Sequence, residues 1–315
     1  MRSAWRIGVA LAVLAVACGV PRTPSPAGGQ ALRVVATTSI VGDVVREIGG
    51  EAIALTVLLP MGVDPHTFAP SPQDAARVAE ADVLFAAGAG LEAFLEPLLQ
   101  SAGSGVRRVD LARGIPLRPL GAGAHVHEGE EGHAGEGQAR EWDPHVWLDP
   151  RNIITWILII EETLAGLDPA RAEIYRRNAE AYRARLWDLD RWIQEQVAQI
   201  PPERRKLVTD HQVFGYFAQR YGFEQVGVIL PGGGTAAQPS AREIAELEEA
   251  IRAQGVKAIF VSSTVDPALA QRIAQDTGAR LVRLYVDSLS APGGEAGSYL
   301  QMMRYNVRAI VEALR

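Results

Sequence analysis

The 315-residue chain has a single cysteine, Cys18, so no disulfide framework can form within one chain. It has no excess of positive charge: 31 Lys and Arg stand against 37 Asp and Glu, a net charge of −6. That balance excludes nucleic-acid binding by bulk electrostatics. No His-Glu-x-x-His helix is present, and no nucleophile motif, so the usual signatures of a zinc hydrolase are missing. The apolar run near the N-terminus, Ile7 to Ala17, is 11 residues long, too short to span a bilayer. Histidine is also scarce, with six in all, and four of them fall in one stretch, "AHVHEGEEGHAGEGQAREWDPHVWLDP", residues 124–150.

What is present organises well. Arg2 and Arg6 precede the short apolar run, which ends in "LAVACG" at Cys18. This is the layout of an exported leader, and residues 1–18 are similar to a bacterial lipoprotein signal in which the cysteine carries the lipid. A lipid also gives a reason for the lone exported thiol. Residues 19–31, rich in Pro, Gly and Ser at the start, form a flexible tether.

From Leu32, short β-branched runs alternate with amphipathic, Gly-terminated helices. Such alternation implies parallel sheets flanked by helices. Residues 168–200 break the rhythm. They lack Gly, and Tyr175, Tyr182 and Leu189 recur every seven residues, as do Ala179, Leu186, Ile193 and Ile200. The pattern predicts one helix of ~50 Å, read as a rigid strut and not a dimer coil. The expected fold is therefore two α/β lobes joined by one long helix. The first lobe covers 32–165, including a His/Glu-rich loop at 121–141. The linking helix covers 166–200 and the second lobe 201–315.

The remaining histidines point to one chemistry. His66 lies in "VDPHTFAPSP", His145 in "WDPHVWLDP" and His211 in "VTDHQVFGYF", each at or just past a strand or extended segment. Asp287, in "LVRLYVDSL", has a similar place. Ligands of α/β sheets sit outside the carboxyl ends of strands. Proline before His66 and His145 stiffens each turn. Three imidazoles and a carboxylate suit zinc, and a full set of four leaves no open position for water, favouring holding over hydrolysis. Asp64 and Asp143 read as turn residues or partners to an imidazole N–H. Asp287 taken alone reads more readily as an N-cap to the following segment, and only beside the three histidines as a ligand.

"DPHTFAPSP", "DPHVWLDPRN", "TDHQVFGYFAQRYG" and "YLQMMRYN", in that order, resemble the metal-specific solute-binding proteins of ABC importers, the ZnuA/TroA-like group. The likeness runs from Leu32 to the end. It implies two lobes bridged by a helix, a metal in the cleft held by His66, His145, His211 and Asp287, no enzymatic activity, and delivery to an ABC permease. Histidine at the third place implies zinc; manganese or iron is the alternative, and a zinc hydrolase the more distant one. It also implies an exported monomer anchored to the cell membrane through Cys18, periplasmic if the cell is Gram-negative. The "FVSS" strand at 260–263 departs from the many relatives that carry Glu after the Phe. His125, His127 and His133, among glutamates, resemble the weakly metal-binding loop of zinc-type relatives, in a composition that cannot bury a core.

Overall fold

The computed structural model describes residues 30–103, 105–121 and 142–315. Cys18, His125, His127 and His133 lie outside them. The first lobe comprises β1 (Leu32–Ala36), α1 (Ser39–Gly49), β2 (Ile53–Val57), α2 (Pro72–Ala79), β3 (Val83–Ala86), α3 (Leu95–Ala102) and β4 (Arg107–Asp110). Its strands are parallel, in the order β2-β1-β3-β4. All four residues of β3 are buried, as expected of a parallel strand covered on both faces. Ser71 caps α2 as the sequence implies: its hydroxyl accepts from Asp74 N, Asp74 reaches back to Ser71 N, and Pro72 opens the helix.

Two helices follow, where the sequence pattern had marked one. α4 spans Pro150–Leu167 and α5 spans Ala172–Val197. α4 escapes the amphipathic test because "IITWILII" is apolar on nearly every face. Ile153, Trp156, Ile157 and Ile160 are all fully covered. Its start is nonetheless encoded, with Asp149 accepting from Arg151 N at 2.9 Å and Pro150 in the first turn. α5 has 26 residues, about 39 Å at 1.5 Å per residue, shorter than the ~50 Å expected. Pro169–Arg171 form a separate 3-10 turn. The heptad seam is the buried face: Tyr175, Ala179, Tyr182, Leu186, Leu189 and Ile193 lie inside. It packs on α4 and α1, and on the last helix of the chain.

The second lobe repeats the plan with β5 (Lys206–Thr209), α6 (Gly215–Tyr221), β6 (Glu224–Val228), α7 (Ala241–Ala253), β7 (Ala258–Ser262), α8 (Ala268–Thr277), β8 (Arg280–Leu284) and α9 (Tyr299–Leu314). The strand order is β6-β5-β7-β8, again all parallel. α6 starts only at Gly215, four residues past His211. His211 N donates to the Asp210 carboxylate, and Thr209 Oγ1 donates to His211 O, so side chains hold 209–211 in a turn that competes with helix.

One continuous apolar core runs from α1 and β1 through α4 and α5 to α9 and β7. Smaller cores lie under α2 and α3, and under α7 and α8. The two lobes are thus packed on a common spine, and the carboxyl ends of both sheets meet across a cleft.

Candidate metal centre

The structure brings His66, His145, His211 and Asp287 together, each offering an atom within 4.8 Å of every other. The three ring centroids form a near-equilateral triangle of 5.2, 5.3 and 5.2 Å. His145, His211 and Asp287 are buried, and His66 is half-buried at the rim. The Nε2 atoms of His66 and His145 lie 3.1 Å apart. His145 Nε2 is 3.6 Å from Asp287 Oδ1, and His211 Nε2 is 3.7 Å from Asp287 Oδ2. His211 Nε2 and Asp287 Oδ1 are fully buried with no hydrogen-bond partner among the described residues. Buried polar atoms without partners are costly, and these two point into the same space. A cation there would satisfy both.

Each buried imidazole is oriented by an aspartate behind it. Asp143 Oδ1 is 2.8 Å from His145 Nδ1 and accepts from His145 N at 3.0 Å. The sequence reading of Asp143 as a partner to an imidazole matches this contact. Asp210 Oδ1 is 3.0 Å from His211 Nδ1 and accepts from His211 N at 2.8 Å, while its Oδ2 accepts from Ser262 N at 2.8 Å. Each carboxylate accepts an Nδ1 proton, leaving Nε2 as the free donor, the arrangement that metal-binding histidines favour. Asp64 does not act on its ring: it accepts from His66 N at 2.9 Å and shapes the turn. α6 approaches Asp143 so closely that a Cβ on Gly215 would collide with Asp143 Oδ2, so the position favours glycine.

Burial sets the charges. It drives the His145 imidazole well below its ordinary value, helped by neighbouring His211, and it lowers His66 as well. Both are neutral donors near pH 7. Burial also lowers His211, but the Asp287 and Asp210 carboxylates override it and push the ring up to about 9. Asp143 is pushed up to about 7 by burial, against the hydrogen bond from His145 N.

Contacts across the cleft hold this geometry. Trp147 Nε1 donates to Val286 O at 2.8 Å, next to Asp287, and Tyr299 Oη donates to Trp147 O at 2.7 Å. The His66 loop is tied to the second lobe by Gly62 N donating to Ser288 Oγ at 2.7 Å and by Thr235 Oγ1 donating to Asp64. Sequence reasoning missed Asp210, Ser262 and Trp147. Asp210 alone left a local signal, since it precedes a histidine as Asp143 and Asp64 do at a distance of two. A cavity of about 580 Å3 lies outside His66, bounded by Leu91, Trp142 and Gly234 among others. Among the described residues no helix is long and apolar enough to cross a membrane.

Two lobes on a shared helical spine, with three inward imidazoles and a carboxylate between them, define a metal-binding protein of the solute-receptor type. The family model "Zinc-uptake complex component A periplasmic" (ZnuA) matches residues 34–313, and the chain belongs to this family. Its members are metal-binding, substrate-binding components of ABC importers and not enzymes. The chain is 33% identical to the manganese-binding lipoprotein MntA of Halalkalibacterium halodurans, over 96% of this chain and 95% of that protein. It is 31% identical to the manganese ABC transporter substrate-binding lipoprotein PsaA of Streptococcus mitis, over 96% and 95%. Among solved structures it resembles the periplasmic zinc-binding protein TroA of Treponema pallidum, with a TM-score of 0.79, 28% identity, and 90% and 99% of the two chains covered. It also resembles a manganese-bound periplasmic metal-binding protein of Candidatus Liberibacter asiaticus, with a TM-score of 0.76, 26% identity, and 90% and 100% coverage.

Proposed function

We propose that the chain captures manganese outside the cytoplasm through His66, His145, His211 and Asp287 and hands it to an ABC permease. The observation that carries manganese is the full-length similarity to proteins named for that ion. This reverses the order expected from the sequence, where His211 put zinc first. A zinc reading keeps one specific support: three imidazoles with one carboxylate suit zinc, and the Irving–Williams order makes zinc the stronger binder at almost any such site. Affinity and cargo are therefore different questions, and zinc is a competitor even where manganese is delivered.

A monomer is the proposed working unit, and a site whose four donors all belong to one chain is compatible with it. The relatives' names as lipoproteins support Cys18 as the lipid anchor, residues 19–31 as the tether, and an extracytoplasmic, membrane-held location. The His125, His127 and His133 loop serves as an auxiliary, weaker binder. The proposed boundaries are those drawn from the sequence, 32–165, 166–200 and 201–315, with α4 packed against α5. Cargo is tested by comparing manganese and zinc accumulation in cells carrying the parent or His145→Ala. A manganese deficit with normal zinc is expected. A zinc deficit with normal manganese overturns the choice of ion, and no deficit in either overturns the transport role.

A further inference from the structure

A cavity of about 680 Å3 lies along the outer edge of the second sheet, between β8 and α9. It shares no residue with the metal centre or with the cavity outside His66. Its volume is that of a small-molecule site. Four arginines line it, Arg280 and Arg283 from the edge strand and Arg304 and Arg308 one turn apart on α9, with two carboxylates, Glu295 and Glu312. Glu312 is already engaged, since its Oε1 accepts from Arg280 Nη2 at 2.8 Å. Arg283 Nη2 donates to the Ser263 carbonyl at 3.2 Å, a neutral acceptor. Among the described residues neither Arg304 nor Arg308 has a carboxylate partner within ion-pair distance. Both guanidinium groups lie over the indole of Trp192 instead, 4.8 and 5.8 Å from the ring centre. A guanidinium stacked by its face keeps the N–H groups at its edge for a ligand, in a plane that is already fixed.

We propose that this cavity binds a compact phosphate-bearing anion, a phosphate monoester or a diphosphate, held by Arg283, Arg304 and Arg308. Four arginines against two glutamates leave the lining with a charge of +2, in a chain whose net charge is −6. A phosphate monoester carries about −1.5 to −2 at pH 7 and so matches that excess, whereas a lone carboxylate neutralises half of it. The planar guanidinium fork also pairs with two phosphate oxygens at once. Like charges four residues apart on a helix repel each other, so an anion between Arg304 and Arg308 relieves a repulsion that the empty cavity retains. A concave site of this size favours a compact ion over an extended acidic peptide or a bilayer surface, the other partners that clustered arginines attract.

The test is calorimetric titration of the chain from residue 19, free of lipid and metal, with inorganic pyrophosphate at low salt. The parent should bind one equivalent. Arg304→Gln and Arg308→Gln should each weaken binding by about tenfold, the effect of losing one charge-assisted hydrogen bond, and Arg283→Gln should do the same. Arg191→Gln, which removes an exposed arginine of α5 paired with Asp188, should match the parent. Glu312→Gln frees Arg280 and should tighten binding severalfold, a gain that damage to the fold cannot produce. No binding by the parent, or equal affinity in the Arg283, Arg304 and Arg308 variants, overturns the proposal. Tighter binding of hexaglutamate than of pyrophosphate also overturns it, in favour of an acidic peptide. Attachment to vesicles of equal phosphatidylcholine and phosphatidylglycerol, without pyrophosphate binding, overturns it in favour of a membrane surface.

Discussion

His211 is pushed up to about 9 because Asp287 and Asp210 outweigh its burial. A ring that holds a proton at neutral pH must lose it before Nε2 can bind an ion. At pH 7 the gap is about 2 pKa units, or ~2.7 kcal/mol, so only about one ring in a hundred is free of its proton. His145 and His66 impose no such cost, since burial lowers both. Metal affinity should therefore rise ~tenfold per pH unit from 7 to 9 and level off above, with about one proton released per ion near neutrality. The same shift has the opposite sign for the metal-free fold. A raised histidine stabilises fully below its unfolded value near 6.5, and that support is lost as pH climbs through 9. Chelator competition with zinc at half-unit steps from pH 6.5 to 9.5, corrected for metal hydrolysis, reads the first effect. Urea unfolding of the stripped protein reads the second. An affinity flat across this range, with no proton release, would show that His211 is neutral in the site and that the carboxylates do not govern it.

Further outcomes follow from other residues. Asp43 Oδ2 accepts from Tyr299 N at 2.8 Å, and burial pushes its carboxyl up to about 6. That raised value supports the fold below pH 4 and is lost as pH rises through 6. Asp43→Asn keeps an acceptor and should stabilise at pH 7.5 by up to ~3 kcal/mol, with the gain vanishing by pH 4; a loss at pH 7.5 contradicts it. His211→Glu replaces a nitrogen with a harder oxygen and should narrow the zinc-over-manganese ratio without reversing it; competition titration of both ions decides, and an unchanged ratio removes His211 from the site. Deleting residues 121–140 should abolish only weak extra equivalents, because a segment whose composition buries no core must be ordered to chelate and that cost lowers its affinity; loss of tight binding on deletion would place a ligand in that segment. Cys18→Ser should release the protein from membranes into the soluble fraction, and unchanged sedimentation with membranes counts against the anchor.

The parallel two-lobe fold was legible because strand and helix periods differ and because capping residues such as Ser71 and Ser240 mark helix starts. α4 was not, since a helix apolar on nearly every face has no clear stripe to detect. β4, "RRVD", buries only Val109 in full and carries no pattern at all. The four site residues stood out by chemistry and by their places after strands. Their supports did not. Ser262 reaches Asp287 only because β7 lies between β5 and β8, and Trp147 reaches Val286 across 139 residues. Such contacts depend on strand order and lobe docking, which no local pattern encodes. Metal choice was the least legible feature, because the donor types alone suit zinc while the relatives are named for manganese.

The central claim is that one ion sits among His66, His145, His211 and Asp287. Crystals of manganese-loaded and zinc-loaded protein, measured at the absorption edge of each metal, test it directly. A single anomalous peak per chain is expected in both, at roughly 2.0–2.3 Å from the three Nε2 atoms and at least one Asp287 oxygen, close to the lengths such donors make with zinc. A peak elsewhere on the chain, with these four side chains unliganded, would contradict the account.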